Sequence, residues 1–119
     1  MSGVHSPVIV TYTSGNAAHH TPGPCHIGVT ADCTAEIIGE ATIRHVRQAT
    51  GQPVSTYLGT DGIQLRNDLA GLNPSTVPKI LIECANMRNA TDAIKVTDPA
   101  WREAAAHGIA SSVAAFVLQ

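Results

Sequence analysis

Glu83 closes the run Ile80-Leu81-Ile82, so its carboxylate stands where an apolar segment leaves the protein interior. Three large apolar residues in succession predict a strand covered on both faces. Active sites of open α/β sheets gather at the carboxyl ends of such strands. Partial burial there would raise a carboxylate pKa toward the range useful to a general base. The plainer reading of the same residue is a solvated glutamate at a strand end. A second group of reactive side chains lies earlier, where His19, His20, Cys25, His26 and Cys33 fall within fifteen residues. Their soft and borderline donors suit zinc, which needs four such groups converging tetrahedrally. The spacing matches no zinc finger or ribbon, and the plainer reading is a polar loop rich in histidine. His45 and His107 read as surface or boundary positions on helices. Ser14, Ser75 and Ser111 lack the sharp strand-to-helix turn of a nucleophilic serine.

The elements that would position these groups follow from local patterns. Residues 7–13, Pro-Val-Ile-Val-Thr-Tyr-Thr, are β-branched and aromatic and predict a strand. Residues 14–31 contain Pro22-Gly23-Pro24 and predict a long loop. Asp32 or Thr34 is positioned to cap a helix running to about Ala49, with Ala35, Ile38, Val46 and Ala49 on one face and Ile43 beside them. Gly51 stops that helix and Pro53 follows. A short strand is expected at 54–58, then turns and irregular chain over 60–78, punctuated by Asp61-Gly62 and Asn73-Pro74. The strand ending at Glu83 comes next. Thr97-Asp98-Pro99 starts a last helix, whose apolar stripe is Trp101, Ala105, Ile109, Val113 and Phe116. The order β-α-β-β-α predicts an α/β or α+β fold.

Composition narrows the function classes. A chain of 119 residues suits one domain with a modest core. Charged residues are 13% and hydrophobic residues 44%, which excludes a disordered chain. The net charge of −2 and the absence of any Lys/Arg cluster argue against nucleic-acid binding through phosphates. No apolar run reaches bilayer length, so no membrane partner is expected. Residues 1–31 hold no Lys or Arg, so a signal peptide is not expected either. Cys25, Cys33 and Cys84 are too few for a disulfide scaffold and leave the compartment unread.

Residues 61–119 carry several motif pieces in order: Arg66-Asn67-Asp68-Leu69-Ala70-Gly71-Leu72-Asn73, then Pro78-Lys79-Ile80-Leu81-Ile82-Glu83-Cys84, then Asn86-Met87-Arg88-Asn89 with Asp92, then a final amphipathic helix. This arrangement resembles the C-terminal half of the zinc-dependent N-acetylmuramoyl-L-alanine amidases (family 3 cell-wall amidases). The upstream helix, with Gly51, Pro53 and Tyr57-Leu58-Gly59, fits as well. The resemblance covers roughly residues 34–119, and residues 1–33 form a divergent strand and a His/Gly/Pro-rich loop. It implies a partial three-layer sheet-and-helix sandwich of α/β class and a peptidoglycan or muropeptide substrate acted on outside the cytoplasm. The bond cleaved would join muramic acid to L-alanine. The resemblance further implies Glu83 as general base, Arg66 and Asn86 on the substrate side, and zinc as cofactor.

The family's zinc ligands come from a Gly-His-Gly turn, an acidic helix residue and a Ser-Ile-His-Ala motif, none of which this sequence shows. Before Glu36 the one carboxylate is Asp32, and His5 in Gly3-Val4-His5 resembles the strand after the third motif, not the ligand. Ala85 replaces the glycine that usually follows the Glu-Cys pair. The expectation is therefore a truncated amidase domain that binds no zinc and lacks activity alone. Rival readings are a non-catalytic cell-wall binding or regulatory module and a metal-binding protein using the His/Cys loop. A sheet lacking the family's earlier strands would expose an edge, so a homo-oligomer, or pairing with the missing N-terminal half, is expected.

Overall fold

The computed structural model describes residues 9–12, 31–54, 61–65, 77–86 and 88–118. Its elements are β1 (Ile9–Tyr12), α1 (Ala31–Thr50), β2 (Ile63–Leu65), β3 (Ile80–Glu83), α2 (Ala90–Val96) and α3 (Pro99–Val117). The strands form one sheet in the order β2-β1-β3. β1 runs parallel to β2, with Val10 opposite Ile63, and antiparallel to β3, with Ile9 opposite Glu83. Joining parallel neighbours needs a long crossover, and α1 lies in the connection between β1 and β2.

The α/β class expected from the sequence holds, and the element list gains α2. The irregular stretch expected over 60–78 contains β2. Asp61 and Gly62 turn into it with φ of 53° and 79°, the left-handed backbone that an Asp-Gly pair tolerates. At 54–58 Val54 makes an isolated bridge and the rest lies outside the described residues. Helix α1 starts earlier than expected, so Asp32 and Thr34 lie inside it instead of capping it, and Cys33 belongs to the helix instead of the loop. Its end is as read. Gly51 takes φ +70° and its amide donates to the Arg47 carbonyl at 2.8 Å. The last helix also begins as read, with Asp98 accepting from the Ala100 amide and Pro99 in the first turn.

Helix α1 touches all three strands and α3, whereas the main neighbours of α3 are α1 and α2, so α1 is the middle layer. The core is built on Ile43 and Val46, with Val54, Ile63, Ile80 and Ile109 packed against them. Ala49, expected on the apolar face, is exposed. The buried face of α3 is narrower and smaller than its apolar stripe suggests: Ala105, Gly108 and Ser112 are buried, while Val113 is half exposed. The reason is close approach. A Cβ added at Gly108 would lie 2.7 Å from Val46 Cα and 2.9 Å from the His45 carbonyl oxygen. One turn on, the Thr42 and Ser112 hydroxyls lie 3.1 Å apart, and Ser112 Oγ donates to the Ile109 carbonyl at 2.7 Å. The single Thr42 proton then serves either Ser112 Oγ or the Ile38 carbonyl, 2.8 Å away.

Candidate functional site

Glu83 is the last residue of β3, paired in register with Ile9 of β1. The strand alternates half-buried and exposed positions: Ile80 and Ile82 turn toward the core side, Leu81 and Glu83 away from it. Leu81 is 41% exposed, so coverage of β3 on both faces and a core position for Leu81 are not borne out among the described residues. Glu83 is itself exposed, which fits the plainer reading of a solvated glutamate at a strand end and not the partly buried one. The cause is the strand period of two. With one face of β3 turned to α1, the next residue along points the other way.

Beyond Glu83 the chain is tied down. The Asn86 amide donates to Asp92 Oδ2 at 3.0 Å, and the Asn86 carbonyl accepts from the Asn89 amide at 2.9 Å. Asn89 Oδ1 caps α2 by accepting from the Asp92 amide at 2.9 Å. Asp92 is 3% exposed, and its Oδ1 accepts from Gln52 Nε2 at 3.1 Å. Gln52 is fully buried, and its Oε1 accepts from Lys95 Nζ at 2.7 Å. The Gln52 amide is thus oriented by a cation at its oxygen and a carboxylate at its nitrogen, an arrangement that satisfies both ends. Burial raises the pKa of the Cys84 thiol, between Glu83 and this loop, above its ordinary value.

Sequence reasoning reached Glu83 and the Asn86–Asp92 segment but not Gln52, Lys95 or α2. The signal for α2 was present, since Asn89 followed three residues later by Asp92 is a capping pattern. Nothing local marked Gln52, because its partner lies 40 residues on. The Asn86 side chain accepts from the Arg88 amide at 3.0 Å. Arg66 lies outside the described residues, as do His19, His20, Cys25 and His26 and the side chain of Cys33. Among the described residues no three His, Cys, Asp or Glu side chains come together as a metal site. Ala85 takes no left-handed backbone, so replacing the usual glycine adds no strain of that kind. Among the described residues no helix is long and apolar enough to cross a membrane. An open groove of about 170 Å³ follows the α1–α3 seam past Ile37, Ala41, Arg44 and Phe116, and Glu83 does not line it.

The chain is 39% identical over 75 residues to an N-acetylmuramoyl-L-alanine amidase of Mycobacterium tuberculosis, covering 63% of this chain and 31% of that protein. The crystal structure of the apo N-acetylmuramyl-L-alanine amidase of Mycobacterium abscessus superposes with TM-score 0.74 at 29% identity, over 98% of this chain and 50% of that one. The Mycobacterium smegmatis enzyme gives TM-score 0.71 at 27% identity, over 92% and 46%. The chain spans about half the length of these solved relatives, or less. The N-acetylmuramoyl-L-alanine amidase family profile matches residues 32–115, a stretch that includes all of α1 but its first residue, β2, β3, Glu83 and the Asp92 network, and the chain belongs to that family.

Proposed function

We propose that this chain supplies the general-base half of a peptidoglycan amidase that cleaves the bond between N-acetylmuramic acid and L-alanine, outside the cytoplasm. The observation that carries this reading is Glu83: an exposed carboxylate at the end of a sheet strand, followed by an anchored loop, inside the family match. In that role Glu83 takes a proton from the attacking water and returns it to the departing alanine nitrogen. A base so placed contributes about 10²–10⁴-fold. Arg66 and Asn86 are the substrate-side residues of this reading. Zinc would polarise the scissile carbonyl in such enzymes. The described residues do not fit that metal, so its ligands are assigned elsewhere and no step here runs through it.

Two preparations test the proposal. The chain alone, incubated with muropeptides, should release no stem peptide above a Glu83→Gln control. A chimera should carry residues 34–119 in place of the matching stretch of the Mycobacterium tuberculosis amidase. It should hydrolyse muropeptides and lose about 10²–10⁴-fold on Glu83→Gln. A folded, zinc-loaded chimera without hydrolysis refutes the base assignment. Release by the chain alone refutes the division of labour.

A further inference from the structure

The geometry points to Lys95, Gln52 and Asp92 as a positioning relay for Glu83, a buried polar chain that anchors the loop behind the proposed base to the C-terminal end of α1. The inference rests on Glu83 being that base. Gln52 and Asp92 are among the most buried side chains described, at 0% and 3% exposure, in a place where an apolar pair would also fill space. Polar groups buried this deeply cost free energy unless fully partnered, and when partnered they specify one geometry. Here the donors converge on Asp92: Lys95 Nζ donates to Gln52 Oε1, Gln52 Nε2 to Asp92 Oδ1, and the Asn86 amide to Asp92 Oδ2. That last bond falls three residues after Glu83, with Cys84 and Ala85 alone between.

The other end of the relay is equally fixed. Gln52 follows the Gly51 helix stop, and its own amide donates to Thr50 Oγ1 at 3.0 Å, while Thr50 Oγ1 donates to the Val46 carbonyl at 2.7 Å. Val46 is fully buried at the centre of the core. Glu83 is therefore held on two sides, by its sheet register with Ile9 and by a loop whose anchor reaches α1. An exposed carboxylate on a free strand end would wander. Catalytic groups act when held within a fraction of an ångström, and residues behind them supply that constraint.

The test uses the full chain with 13C-labelled glutamate. It has four glutamates, Glu36, Glu40, Glu83 and Glu103, so the Glu83 carboxyl resonance is assigned by its loss in Glu83→Gln. Asp92→Asn and Gln52→Glu should each shift that resonance and speed exchange of the Asn86 amide by about ten-fold, as expected for one broken tether. The double variant Asp92→Asn/Gln52→Glu exchanges amide for carboxylate. The new amide donates to the new carboxylate and still accepts the Asn86 N–H, the new carboxylate accepts from Lys95, and net charge is unchanged. It should restore both readouts. Single variants that lose stability while the Glu83 resonance stays in place overturn the relay and leave ordinary structural bonds. If either single variant fails to fold, Lys95→Met, altered at the half-buried end, decides in the same way: an unmoved Glu83 resonance overturns the proposal. These readouts need no turnover, so an inactive chimera would remove the base role of Glu83 without touching the relay, and the two failures are distinguishable.

Discussion

Replacing Gly108 by alanine separates two opposing effects whose magnitudes can be estimated. Alanine in a helix interior is favoured over glycine by about 1 kcal/mol. The new methyl, however, would meet Val46 Cα at 2.7 Å, the His45 carbonyl oxygen at 2.9 Å and the Val46 nitrogen at 3.0 Å. All three are backbone atoms of α1, so no side chain can rotate away. Relief requires α3 to move outward by several tenths of an ångström. That movement stretches the 3.1 Å contact between Thr42 and Ser112 and thins the packing of Ile109 on Ile43 and Val46. Overpacking of this kind costs about 1–3 kcal/mol, and rigid backbone on the opposing side favours the upper part of that range. The expected net loss for Gly108→Ala is about 2 kcal/mol after the propensity gain of about 1 kcal/mol. Urea unfolding of the full chain measures it, with Ala106→Gly on the exposed side of the same helix as the propensity control. A Gly108→Ala chain as stable as the parent, or more stable, would refute the close crossing of α1 and α3.

Other perturbations follow from the same structure. Asp92→Ala strands Gln52 Nε2 and the Asn86 amide and should cost about 2–4 kcal/mol in urea unfolding. Asp98→Ala removes an exposed helix cap and should cost about 1 kcal/mol. On β3, Leu81→Ala should cost under about 1 kcal/mol, and Ile80→Ala, packed against Ile43 and Val46, at least twice that; equal losses would contradict the one-sided burial of the strand. The raised Cys84 pKa means that the unfolded chain gives up this proton before the folded chain does. Stability should fall as pH rises past about 8.5, where an unfolded thiol ionises. Cys84→Ala should flatten that decline, read from urea midpoints on either side of that pH. The outer edge of β3 has no strand partner among the described residues, and Leu81 beside it is exposed, so sedimentation at micromolar concentration should show self-association; a strict monomer would refute it.

What the sequence by itself determined is local or carried by motif. Gly51 ends α1 because a glycine takes the left-handed turn without a Cβ penalty, and Asp98-Pro99 starts α3 because a capping oxygen and a fixed φ are both helix-starting chemistry. The motif run through Glu83 marked the family. Tertiary structure decided what depends on partners distant along the chain. Three apolar residues in a row do not say that one face of β3 stays open, so they predict a cover for Leu81 that the fold does not supply and leave Glu83 either partly buried or solvated. The apolar stripe of α3 did not reveal that its contact face is Ala105, Gly108 and Ser112, because the crossing distance is set by the α1 backbone opposite. Strand β2 was hidden as well, since three residues beside an Asp-Gly turn carry little pattern and extend only by pairing with β1. Gln52 shows the limit most directly. A glutamine after a helix stop looks solvated, yet it is fully buried, because Asp92 and Lys95, 40 and 43 residues later, meet both ends of its amide.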